Sequence, residues 1–138
     1  MKTAKIIAPL LACGVLFSGI ASAQVMDPAQ ADKTATKVRQ VTYSCGKGGN
    51  IKVTYGFNKQ NLPTYAQANL GGKTRFLPIN LAQSDIAGTS FGDDNSWNIG
   101  TDALTLNNYH KSDILVQDPD SRITHKTCKV VSTKKIKG

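Results

Sequence analysis

The chain has 138 residues, with 17 Lys and Arg against nine acidic residues and a formal net charge of +8. All nine acids are Asp, so the Glu that usually serves as the acid in glycoside-cleaving carboxylate pairs is missing. The length excludes more than one domain of ordinary size.

The first 23 residues read as an export signal. Lys2 and Lys5 precede an apolar run from Ile6 to Ile20, and Ala21-Ser22-Ala23 supplies the small-residue cleavage pattern. That run is shorter than the roughly 20 residues a spanning helix needs, so no transmembrane segment is expected. Cys13, in "LLACG", resembles a lipoprotein cleavage box; cutting there would lipidate Cys13 but leave an unusually short leader. Removal of residues 1–23 leaves 15 basic against nine acidic residues, a formal charge of +6.

Residues 24–38, "QVMDPAQADKTATKV", carry no apolar period and read as a flexible lead. The expected domain covers 39–129. "VTYSC" puts Val41, Tyr43 and Cys45 on one face of a strand, and "NIKVTYGF" does the same for Ile51, Val53, Tyr55 and Phe57. The "GKGG" between them suits a hairpin. "PTYAQANL" and "KTRFLPI" flank Gly71-Gly72, a two-residue hairpin signal. "GTSF", "SWNIG", "ALTL", "DILVQ" and "RITHKTC" follow, with turns at "GDDN" and "DPDS". Residues 130–138 read as a frayed basic tail.

Eight or nine short strands, with no stretch periodic enough for a helix, predict an all-β sandwich or small barrel. Two cysteines remain in an exported chain, Cys45 and Cys128, and that even count reads as a disulfide. It would close the loop from 45 to 128, a contribution of roughly 4 to 5 kcal/mol in the chain-entropy account. Tying the first core strand to the last favours a barrel, where closure makes those strands neighbours.

Catalytic chemistry finds no site. Asp93 and Asp94 are consecutive, so a strand would point them apart and a turn would use them as turn formers. His110 and His125 lie in polar settings without a free cysteine or a zinc spacing, and "GKGGN" lacks the Lys-Ser/Thr of a phosphate loop. No enzyme, metal or cofactor is expected. Tyr43, Tyr55 and Phe57 share a face with Ile51 and Val53, which assigns them to a core instead of a nucleic-acid stacking platform.

The order Tyr-x-Cys, hairpin, alternating strand, Gly-x-x-aromatic, Trp-x-x-Gly and terminal Cys resembles the MliC/PliC family of C-type lysozyme inhibitors. The run "VTYSCGKGGNIKVTYGFNKQ" is most like its adhesin complex protein branch. The resemblance covers about residues 38–128. It implies an eight-stranded antiparallel barrel, a Cys45–Cys128 bridge, a periplasmic or outer-membrane-surface location in a Gram-negative bacterium, and occlusion of the lysozyme cleft. The family's Ser-Gly-x-x-Tyr and Lys-Gly motifs fall on Ala87-Gly88-Thr89-Ser90-Phe91 and Ile99-Gly100, so the inserted Ser and Lys are absent unless Thr89 or Ser90 serves.

With Asp93, Asp94 and Trp97, these residues form the expected lysozyme-binding region, 87–100. From Asp85 to Asp102 there are four Asp and no Lys or Arg, a stretch suited to steering a cationic lysozyme. The same protein is expected to act as an adhesin as well; the alternative is an adhesin that binds host-cell surfaces through its basic faces with little or no lysozyme inhibition.

Overall fold

The computed structural model describes residues 24–138, so the leader and Cys13 lie outside the described residues. Eight antiparallel strands form one sheet. In chain order they are β1 (Lys37–Lys47), β2 (Gly49–Phe57), β3 (Pro63–Leu70), β4 (Lys73–Pro78), β5 (Gly88–Phe91), β6 (Asn98–Asp102), β7 (Ile114–Gln117) and β8 (Ile123–Lys137). Their order in the sheet is β4-β3-β2-β1-β8-β7-β6-β5.

The sheet curls until its two ends meet at a short seam. Ile79, just past β4, bridges Phe91 of β5, and backbone bonds from Asn80 to Ser90 and from Gly92 to Pro78 flank that bridge. The Asn80 side chain is fully buried there. Its Nδ2 donates to the Gly92 carbonyl at 3.0 Å and its Oδ1 accepts from the Gln83 amide at 3.1 Å. A small barrel thus replaces the sandwich alternative.

Alternation fills the interior as the pleat dictates. Val41 and Tyr43 of β1 and Ile51, Val53, Tyr55 and Phe57 of β2 point inward, joined by Leu70, Leu77, Phe91, Ile99, Ile114, Val116 and Cys128. Opposite the seam, β1 and β8 pair directly, and Cys45 faces Cys128 with Cα atoms 3.8 Å apart in a disulfide. The bridge links the first strand of the sequence to the last.

Three segments differ from the sequence-based expectation. Residues 24–38 are not a loose lead. Gln24 and Met26 bond in register with Leu81 and Ile79, and Pro28–Thr34 forms a helix, α1. Asp27 caps α1 through its carboxylate and the Gln30 amide, and Pro28 supplies the preset φ of a first helical residue. Ala31 and Ala35 then pack on the outer face of the barrel over Tyr65, whose ring stacks on Phe76 at 4.5 Å. This second, small core binds the segment as a strap. Gly56 makes room for it, since a Cβ there would sit 2.2 Å from the Tyr65 ring.

At the other terminus, residues 130–137 continue β8 and pair with β1 as far as Val38↔Lys137. Finally, "ALTL" is loop. Thr89 Oγ1 accepts the Leu104 amide, and Asn108 accepts the Thr105 amide while donating to the Ala103 carbonyl. Polar side chains satisfy that backbone in place of a neighbouring strand.

Candidate functional site

The expected binding region, 87–100, is a hairpin of β5 and β6 whose residues divide between interior and surface. Phe91 and Ile99 are fully buried in the core, and Thr89 is buried with its hydroxyl committed to the Leu104 amide. These three cannot touch a partner; they hold the hairpin to the barrel. Ser90 and Gly100 face each other across the β5–β6 ladder, and the Ser90 amide and carbonyl are engaged by Ser84 Oγ.

The accessible residues lie at opposite ends of the hairpin. At one end Gly88 pairs with Asp102, and Ala87 is exposed beside Ile86, a side chain 98% exposed. Asp85 fixes this end by accepting the Ala87 and Gly88 amides. At the other end, the turn 92–97 carries Asp93, Asp94, Asn95 and Trp97. The sequence-adjacent acids are thereby separated into two patches, Asp85 with Asp102 and Asp93 with Asp94.

The second end has more structure around it. Asp93 Oδ1 accepts the Asn95 amide, and Asp94 accepts from Gln83 Nε2 at 2.6 Å. The Asp94 carboxylate is also within 3.4 Å of Gln24 Nε2, from the strap. Trp97 lies partly exposed against the β3–β4 turn. Gly71, with φ of +64°, leaves the indole room that a Cβ at 2.8 Å would close. Arg75 stacks its guanidinium 5.7 Å from the indole centroid while Nε donates to the Leu70 carbonyl at 2.8 Å.

Beside this pair opens a groove of about 710 Å³. Met26, Phe76, Pro78 and Trp97 give it an apolar lining, and two acids, Asp27 and Asp93, stand on its walls against one cation, Arg75, which is held on the Trp97 indole. Neither carboxylate is in an ion pair, the three described ion pairs being Arg122 with Asp118 and with Asp120, and Lys129 with Asp113. An apolar groove with unpaired carboxylates suits a basic side chain with an aliphatic stem, or a cationic surface more generally.

Of the residues expected from the sequence, Asp93, Asp94 and Trp97 lie at this end. Met26 and Asp27, which line the groove, lie in the segment expected to be a flexible lead, although Asp27-Pro28 is itself a helix-start signal. Arg75 joins them in the lining, and nothing in "KTRFLPI" distinguishes it from an ordinary outward cation.

The histidines take no part in this end. His110 is exposed in a single 3-10 turn, Tyr109–Lys111. His125 is partly buried, with Nδ1 at 2.9 Å from Thr124 Oγ1, and its burial lowers its pKa below the ordinary histidine value. No group of three or more metal-ligating side chains occurs among the described residues, nor does any helix long and apolar enough to cross a membrane.

Comparison with known proteins follows the same outline. Residues 39–130 match the family described as "ACP-like domain". The solved structure of the Adhesin Complex Protein from Neisseria meningitidis is 40% identical to this chain, with a TM-score of 0.63. The match covers 67% of this chain and 98% of that one. No curated protein matches the chain. The strap and the end of β8 fall outside the family-matched span. The eight-stranded barrel, its disulfide and the matched span together identify the chain as a member of the ACP-like domain family, the adhesin complex protein branch of the MliC/PliC family.

Proposed function

We propose that this protein is an exported binding protein that docks on C-type lysozyme and occludes its cleft, using the end of the barrel built from Asp93, Asp94, Trp97 and the strap. One observation carries the reading. The turn 92–97 and the groove beside it present unpaired carboxylates around a partly exposed tryptophan, and C-type lysozymes are strongly cationic. Family membership supplies the rest. The inserted Ser and Lys of the typical motif are absent, so electrostatic docking on a rigid hairpin takes the place of a plug.

A cell-wall lysis assay with the mature protein tests this. Lysis falls as the protein is added, and Asp93→Asn with Asp94→Asn relieves the inhibition at least tenfold. Ile86→Ser, at the opposite end of the hairpin, leaves it intact. Undiminished lysis at micromolar excess of the mature protein removes the proposal, and an effect confined to Ile86 moves the contact to the other end.

A second reading is an adhesin that uses its basic faces on host-cell surfaces. It is favoured by the name of the Neisseria meningitidis relative, an adhesin complex protein, and by the unequal distribution of charge. Retention of the mature protein on epithelial cells, measured against ionic strength, tests it: binding that weakens steeply with salt supports it, and binding indifferent to salt overturns it.

A further inference from the structure

Eight of the 15 cations of the mature chain lie on the β1–β8 ribbon: Lys37, Arg39, Lys47, Lys126, Lys129, Lys134, Lys135 and Lys137. Neither strand contains an acid. Only Lys129 is in an ion pair, with Asp113, and Arg39 spends its guanidinium on the Lys137 and Gly138 carbonyls. β7 pairs with β8 only up to Cys128, so from Lys129 onward no strand pairs with the far edge of β8.

Two irregularities in this ribbon have the same result. The pairing of β1 with β8 slips between Thr42↔Ser132 and Tyr43↔Val130, and again between Val38↔Lys137 and Arg39↔Lys135. The extra residues are Val131 and Ile136, the only large aliphatic side chains on β8 that are exposed, at 58% and 49%. A bulge re-aims a side chain relative to its strand. Both bulges here bring an apolar residue out among lysines, where an edge strand guarded only against pairing would carry charge alone.

We infer that the β1–β8 ribbon is a docking face for an anionic lipid bilayer, with the lysines on the phosphate headgroups and Val131 and Ile136 entering the interfacial layer. Phosphate charge answers the six cations of the ribbon that are neither paired with Asp113 nor spent on backbone carbonyls, and the headgroup boundary rewards apolar burial. A sulfated polysaccharide would satisfy the lysines equally but gain little from two aliphatic side chains, which selects the bilayer. The inference names a ligand for the basic face of the second reading and rests on the same charge distribution, not on lysozyme binding. Val131 and Ile136 lie beyond residue 130, outside the family-matched span.

The test is sedimentation of the mature, disulfide-bonded protein with vesicles of phosphatidylcholine alone or with phosphatidylglycerol in equal parts. Binding to the anionic vesicles only, lost at high salt, is expected. Lys134→Gln with Lys135→Gln lowers the partition roughly 25-fold, at about a factor of five per lysine. Val131→Ser with Ile136→Ser leaves the charge unchanged and lowers vesicle binding several-fold, while retention on heparin stays the same. Thermal unfolding at the wild-type midpoint verifies that both variants are folded.

Failure to sediment with anionic vesicles overturns the inference. Loss of heparin and vesicle binding in equal measure in the aliphatic variant also overturns it, in favour of a plain polyanion site. Vesicle binding without cell retention refutes the adhesin reading alone, and cell retention without vesicle binding refutes the bilayer alone.

Discussion

The phenolic oxygens of Tyr43 and Tyr55 lie 2.6 Å apart inside the barrel, and both rings are fully buried. Each hydroxyl is the other's partner, so removing one strands the other in an apolar interior. Tyr43→Phe and Tyr55→Phe should each cost about 1–3 kcal/mol, while the double variant should cost less than the sum. Urea unfolding of the four proteins measures this, and additive single effects contradict it. Burial also pushes both hydroxyls above the ordinary tyrosine range, so the folded state resists ionisation. Stability should therefore fall as pH rises past about 10, where the unfolded tyrosines ionise and the folded ones do not.

The strap is held by small residues, which makes it sensitive to size and charge at one position. Ala31 is fully buried against Tyr65, so Ala31→Asp places a carboxylate where no partner waits. A loss of about 1–3 kcal/mol is expected. The loss should be local: trypsin should gain access at Lys33 while far-ultraviolet dichroism of the barrel persists. Unchanged cleavage at Lys33 would show that α1 is not docked as described.

Cys45 and Cys128 close a long segment, with a sequence separation of 83. The paired variant Cys45→Ser with Cys128→Ser should lose about 4 kcal/mol or more, chiefly because the unfolded chain regains freedom. Denaturant midpoints of the variant and of the oxidised wild type give the difference. Native material carrying two free thiols would contradict the bridge.

His125 is disfavoured as a cation by its partial burial. Its folded pKa lies below the unfolded value of about 6.5, so the unfolded state takes up the proton first as pH falls. Its contribution is therefore neutral above about pH 6.5 and destabilising below it. The denaturation midpoint should drop on acidification through that value, and His125→Gln should flatten the drop. Following the His125 ring protons by NMR gives the pKa itself.

What the sequence made legible was the period-two core. Ile51, Val53, Tyr55 and Phe57 alternate without interruption, and all four are buried on one side. Gly71-Gly72 marked its hairpin because both residues need positive φ, at +64° and +89°. The strap escaped notice because its buried stripe is Ala31 and Ala35, too small to raise an apolar period over seven residues. The end of β8 escaped for the opposite reason: "KVVSTKKIK" is dominated by lysine, as an unpaired edge tends to be. In the candidate site, Asp93, Asp94 and Trp97 were visible as types, but their groove draws on residues from the strap and from β4, remote in sequence. Tertiary closure, not local pattern, assembled it.

The covalent bond joins the fourth and fifth strands of the sheet order, whereas the seam joins the outermost two by a single bridge and its flanking bonds. The molecule is therefore a ring with a weld on one side and a clasp on the other. Native-state hydrogen exchange should release the amides of Asn80 and Gly92 well before those of Tyr43 or Val41. The clasp also adjoins the turn 92–97, so a partner seated on that turn would press it shut, and binding would be felt as slower breathing at the far end of the sheet order.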